Sequence, residues 1–258
     1  MRKNQILFLF ICLSYFILSC SDDNPAGSDS TTLLPSKQGT YWIYINYTLD
    51  SNWNRNTDNP TIDSTIIAGN ITIHDTTGIV ALSYSSDSSG ITNGDSTYYY
   101  TEKLKVFTYS NYFSNLLGNL PINLNIQINE QWVKLVDGDD EDWKVIEQEI
   151  PETIIFPGLT MKGNVTILGS KSGTETIQAE SQNYNTRKFT LKMTFTGSVT
   201  FLSNTFPLNF ERKTYLYFAD NIGLIKSVIE PMKLSILQLQ NLNLDGEERI
   251  LIRHHIAN

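Results

Sequence analysis

The chain has 258 residues, of which 40% are hydrophobic and 18% charged, with a formal net charge of −8. This length suits one large domain or two small ones, and the apolar fraction is sufficient for a core, which argues against global disorder. The acidic balance argues against nucleic-acid binding, which depends on Lys and Arg. The only two cysteines, Cys12 and Cys20, leave no disulfide framework and no thiolate zinc cluster.

Residues 1–19 read as a signal. Arg2 and Lys3 precede a mostly apolar run over residues 6–18. That run is shorter than the about 20 residues a helix needs to cross a bilayer, and small residues end it. Ile17-Leu18-Ser19-Cys20 resembles a bacterial lipobox. The resemblance implies cleavage before Cys20 and acylation at Cys20, an anchor that holds once two or more chains are attached. Loss of Arg2 and Lys3 would leave the mature chain more acidic still. Ser21-Asp22-Asp23-Asn24 resembles the acidic export signal of surface lipoproteins in the Bacteroidetes group. Outer-membrane sorting is expected, at the cell surface, with the periplasmic face as the alternative. Four Asp-Ser/Thr triplets resemble that group's O-glycosylation sequon and place candidate acceptors at Ser30, Ser64, Thr76 and Ser96. The same triplets also suit strand ends, where Asp and Ser cap backbone groups.

Residues 20–38 carry the lipidated Cys and a Ser-, Asp- and Pro-containing tether. A single all-β domain is expected over residues 39–258. Trp42 and Tyr44 share a face at its start and are expected to plug one end of the core. Ile71 and Ile73 alternate with Thr72 and His74, and Asn93-Gly94 marks a turn. Tyr98-Tyr99-Tyr100, with Tyr84, Tyr109 and Tyr112, makes the middle aromatic-rich, which suits half-buried sheet positions and also sugar or protein contact. Residues 111–120 are a weak helix candidate, and residues 122–128 alternate Ile or Leu with Asn or Gln. Asp137-Gly138 signals a hairpin between two strand-like runs. The most regular stretch is residues 189–201. Phe189, Leu191, Met193, Phe195, Val199 and Phe201 occupy one face, and Thr, Lys and Ser the other, with Gly197 where a bend would fit. Tyr215, Leu216, Tyr217, Phe218 and Ala219 are apolar on both faces, as a central strand would be.

Strands of this length and one-sidedness curl. The expected fold is a long curved antiparallel sheet, a half-barrel or lipocalin-like barrel of about 12–15 strands, with a β-sandwich as the alternative. The segment from Leu34-Pro35 through Gly39 to Trp42-Ile43-Tyr44 resembles the opening of a broad group of uncharacterised bacterial lipoproteins. Tyr217-Phe218-Ala219-Asp220-Asn221-Ile222-Gly223-Leu224-Ile225 is similar to that group's closing hairpin. The Gly-Thr-Phe segment such proteins often carry is missing from residues 177–189. The resemblance implies a curved sheet like that of periplasmic lipoprotein carriers, and it implies no activity.

No phosphate loop, dinucleotide fingerprint, His-Glu-x-x-His, Cys-x-x-Cys, Gly-x-Ser-x-Gly or Ser-x-x-Lys pattern occurs. No metal site and no cofactor are expected. Asp137, Asp139, Asp140, Glu141 and Asp142 lack EF-hand spacing and read as a solvated hairpin tip. His254 and His255 point to opposite faces of a strand, and His74 is isolated. The leading expectation is a lipid-anchored, non-catalytic binding or assembly protein that meets the membrane through its lipid and an envelope protein or glycan through its surface. The alternatives are a carrier or sensor of an apolar ligand held in the curved sheet and a hydrolase using scattered carboxylates.

Overall fold

A computed structural model describes residues 31–87, 90–91, 94–110, 130–236 and 240–257. They fall in the unit Thr31–Asn258 and form strands without a helix. β1 (Tyr41–Leu49), β2 (Thr61–Ile73) and β3 (Thr76–Asp87) lead into the two-residue β4 (Gly90–Ile91), then β5 (Asp95–Glu102), β6 (Lys105–Tyr109) and β7 (Trp132–Asp137). The long strands follow: β8 (Asp142–Phe156), β9 (Leu159–Ala179), β10 (Gln182–Phe201) and β11 (Asn204–Ala219). Last come β12 (Gly223–Ile229), β13 (Met232–Ile236), β14 (Gln240–Leu244) and β15 (Gly246–His255). The helix candidate at residues 111–120 and the alternating stretch at 122–128 lie outside the described residues.

One antiparallel sheet runs β7-β6-β5-β3-β2-β1-β15-β12-β11-β10-β9-β8, with β4 on β3, while β13 and β14 form a separate hairpin. The two ends of that path are consecutive in the chain. β7 and β8 touch but share no ladder, and the turn at 138–141 joins them. The sheet therefore curls almost into a barrel whose seam closes at that turn, the curved-sheet outcome expected from one-sided strands.

β10 shows how alternation and register make the interior. Phe189, Leu191, Met193, Phe195 and Val199 are buried, and their partners across β11 include Leu216, Thr214, Arg212 and Phe210. Opposite Lys188, β9 carries an extra residue at Ser172 and Gly173, while β10 keeps an unbroken register with β11; before Phe189 the buried residues are Tyr184 and Thr186, of the opposite parity, so this end of the strand is buried on its other face. The strand is thus 20 residues long, and its apolar alternation is regular only from Phe189 onward. Gly197 pairs with Gly163 on β9, and a Cβ on Gly163 would lie 2.7 Å from the Gly197 Cα and 2.8 Å from the Phe195 ring. Phe195 fills the space both glycines leave and stacks on Phe210 at 5.1 Å.

This half of the interior is filled by the chain itself. Leu234 on β13 and Leu244 on β14 are buried in the same cluster as Phe189, Phe195, Ile167 and Val136. Arg212, also facing inward, donates to the Glu230 carbonyl at 2.8 Å and the Asp245 carbonyl at 2.6 Å. It thereby ties together the two ends of the β13–β14 excursion.

β11 is covered on both faces, as its composition predicts. Leu216 and Phe218 face inward. Outside, Tyr215 and Tyr217 lie beneath Lys188, whose Nζ stands 5.1 and 5.2 Å from their ring centres. Trp53 and Arg55 line the same groove from the loop after β1. There the buried Glu248 carboxylate pairs with Arg55 and, at 2.7 Å, with Lys226.

Residues 31–35 already pack against the domain. Leu33 is fully buried and its amide bonds the Lys103 carbonyl, so the packed domain already includes residues before the expected start at Gly39. The opening and closing segments singled out in the sequence meet in space. The Trp42 indole donates to the Ile222 carbonyl at 2.7 Å, and the Tyr44 hydroxyl to the Leu224 carbonyl at 3.0 Å. Gly223 between them has φ of +113°, and a Cβ there would come 3.0 Å from the indole.

Candidate functional site

The inward face of β1 changes character along its length. Trp42 and Tyr44 are followed by Asn46, and their register partners on β2 are Thr65, Asp63 and Thr61. On the other side of β1, Leu251, Arg249 and Glu247 of β15 stand opposite Tyr44, Asn46 and Thr48. Ser83 and Ser85 of β3 continue the row beyond Thr65 and Asp63. Period-two alternation thus carries polar groups inward on four neighbouring strands at the same height.

The polar members of this row line an open cleft of about 440 Å³ at one end of the sheet, together with Tyr47, Tyr84, Asp95, Thr97 and Tyr99. The volume is in the range of small-molecule sites, roughly 300–1,000 Å³. Below it lies a nearly apolar cavity of about 80 Å³ between Trp42, Ile67, Ile79, Leu135 and Phe218. Thr65, Tyr99 and Arg249 border both spaces.

Arg249 is held from two sides. Its guanidinium lies 4.0 Å from the centre of the Tyr44 ring, and one terminal nitrogen reaches Thr65 Oγ1 at 3.4 Å. Its Nε is buried with no hydrogen-bond partner, as are Asn46 Oδ1 and Asp63 Oδ1. Asn46 uses its amide nitrogen on Thr61 Oγ1 at 3.2 Å, which leaves the oxygen available. Buried polar atoms are ordinarily paired, because an unpaired one costs roughly 1–3 kcal/mol. Three such atoms lining or bordering one cleft make a polar site whose partners are not supplied by the protein. Burial pushes the Glu247 carboxyl above its ordinary value; Arg249 pulls it back, Asp63 adds to the push, and Arg212 opposes it.

The residues expected from sequence fall elsewhere. Cys20, the Ser21, Asp22, Asp23, Asn24 export signal and Ser30 lie outside the described residues. Ser64 and Ser96 sit on the outward face of β2 and β5, and Thr76 begins β3, none of them buried. They form no single site. Asp63 and Thr65, which flank Ser64, point the other way and line the cleft. Asn46, Glu247 and Arg249 were missed, because Asn46 is the one amide of β1 and Glu247-Glu248-Arg249 reads as an ordinary charged run. The signal was the loss of apolar character on the inward face of β1 after Tyr44.

The acidic turn is only partly the solvated tip expected of it. Asp139, Asp140, Glu141 and Asp142 are exposed, but Asp137 is fully buried. It accepts from the amides of Asp139 and Asp140 at 2.9 and 3.1 Å and from Lys134 Nζ at 2.5 Å. Burial raises its pKa, and the lysine and the two amides outweigh that, holding it at about 2. It staples the seam turn. No group of three or more potential metal ligands occurs among the described residues. The tyrosine triplet splits: Tyr99 faces the cleft, while Tyr100 stacks on Phe107 at 4.3 Å and meets Trp132 edge-on at 5.1 Å. His254 bonds Glu180 at 2.7 Å, and His255 lies by Tyr41.

No family model matches the chain, and no curated protein matches it. Two solved structures resemble it. One is a candidate lipoprotein from Parabacteroides distasonis, 14% identical, with TM-score 0.49, covering 87% of this chain and 99% of that one. The other is a candidate exported protein with a YmcC-like fold from Bacteroides fragilis, 12% identical, with TM-score 0.44 and the same coverages. Neither likeness is close enough to carry an argument about the cleft.

Proposed function

We propose that the protein is an exported, lipid-anchored envelope lipoprotein that works by binding, without catalysis, and that its recognition site is the polar cleft at the mouth of the curled sheet. The observation that carries this reading is the coincidence of an open cleft of about 440 Å³ with three buried, unpartnered polar atoms on Asn46, Asp63 and Arg249. A small hydrophilic ligand would supply those partners. The anchor and the outer-membrane, surface-facing location rest on Cys20 and on Ser21-Asp22-Asp23-Asn24.

An apolar cargo is less favoured. The inward face of β10 is covered by the chain's own strands and by the β13–β14 hairpin, and about 80 Å³ of apolar space remains.

The test is a melting experiment on the full chain in nonionic detergent with water-soluble extract from the cells that make it. A ligand binding the native state raises stability by RT ln(1 + [L]/Kd). The melting temperature of the native protein should rise by several degrees, and that of Asn46→Leu should stay unchanged. An equal rise in both, or none in either, would contradict the assignment of the cleft.

A further inference from the structure

The hydrogen-bonding inventory of the cleft is lopsided. Its buried, unfilled capacity consists of two acceptors, Asn46 Oδ1 and Asp63 Oδ1, and one donor, Arg249 Nε. Its charged lining residues are three carboxylates, Asp63, Asp95 and Glu247, and one cation, Arg249. Asp63 and Glu247 make no salt bridge among the described residues. Arg249 is partly committed to the Tyr44 ring and to Thr65.

Three kinds of ligand can be compared against this inventory. An anion brings acceptors and negative charge to a site already rich in both. A neutral polyol satisfies the hydrogen bonds but leaves the excess negative charge uncompensated in a partly buried place. An ammonium group brings three donors, no acceptor and one positive charge. A hydroxyl beside it can accept from Arg249 Nε. We infer that the cleft selects a small ligand carrying a protonated amine on a hydroxylated frame, amino-sugar-like in chemistry, with the ammonium seated against Asp63 and Asn46 and a hydroxyl oxygen on Arg249. Thr61, Thr65 and Ser83 supply further hydroxyl partners for the frame. This inference rests on the cleft being the recognition site.

The test is calorimetric titration of the full chain in nonionic detergent with three probes on one frame: glucosamine, glucose and gluconate. Glucosamine should bind saturably and about tenfold tighter than glucose, a difference of ~1.4 kcal/mol, with gluconate weakest. Asp63→Asn should bring glucosamine down to the affinity of glucose. Glu247→Gln should narrow the gap in the same direction and stands in if the first variant does not fold. Equal binding of glucose and glucosamine, or preference for gluconate, overturns the cationic assignment and leaves the cleft as the site. No saturable heat with any probe also overturns it. If the native protein then carries no hydrophilic adduct either, the cleft reading falls with it.

Discussion

Asp137 is the residue whose electrostatics bear most directly on stability. Its folded pKa is depressed from 3.8 to about 2, so the native state holds fewer protons than the unfolded chain between those values. The stabilisation is present above about pH 4 and drains away as the pH falls towards 2. At ~1.4 kcal/mol per unit it amounts to about 2 kcal/mol. Asp137→Asn should cost that much at neutral pH, and chemical denaturation should show variant and parent converging near pH 2; a constant difference down to that pH would contradict the assignment. Gly223 is a second residue with a sharp expectation. Gly223→Ala places a Cβ at positive φ against the Trp42 indole and should cost about 1–3 kcal/mol. Trp42→Ala should cost about 3–5 kcal/mol. The pair should be non-additive in a double-mutant cycle, since the two residues touch; strict additivity would mean the contact is not formed in solution. The importance of Trp42 and Gly223 was legible as a resemblance at the two ends of the domain. That they touch was not, because 180 residues separate the indole from its carbonyl acceptor. The burial of Asp137 was hidden for a similar reason: its neighbours at 139–142 are all exposed, and composition cannot single out one carboxylate among five.

At the scale of elements, β10 was readable almost outright, since side-chain period two and an unbroken apolar face leave one interpretation. Its first seven residues were not, because there burial passes to the opposite parity, with Tyr184 in the cluster of Trp42 and Tyr217. The both-sided burial of β11 was readable from Tyr215 to Ala219, although what covers its outer face came from a loop more than 150 residues away. The β13–β14 hairpin was not foreseen as a plug. Its strands are short, Leu234 and Leu244 are the described apolar residues in it that are buried, and its seating depends on Arg212. Arg212→Met removes both hydrogen bonds and leaves the carbonyls of Glu230 and Asp245 without that donor. It should destabilise the domain by about 1–3 kcal/mol. Amide exchange should also accelerate in β13 and β14 before it does in β10. Uniform exchange through both elements would mean that the hairpin is not a separately held piece.

Across the whole molecule, the curled sheet divides its interior. One part, centred on β8 to β11, is packed with Phe, Met, Leu and Ile and closed by the β13–β14 hairpin. The other, between β1, β2, β3 and β15, turns polar towards the mouth and stays open. Curvature and the all-β class were legible from alternation alone. The division was not, because it depends on which strands are neighbours: β1 lies between β2 and β15, and no local pattern announces that pairing. The central claim is that the open polar part holds the ligand and the packed part does not. The most direct measurement is native mass spectrometry of the full chain, recovered gently from the envelope of its own cells and compared with Arg249→Met. The account predicts a small hydrophilic adduct on the native protein that is absent from the variant. A lipid-sized adduct that both proteins retain until organic extraction would contradict it.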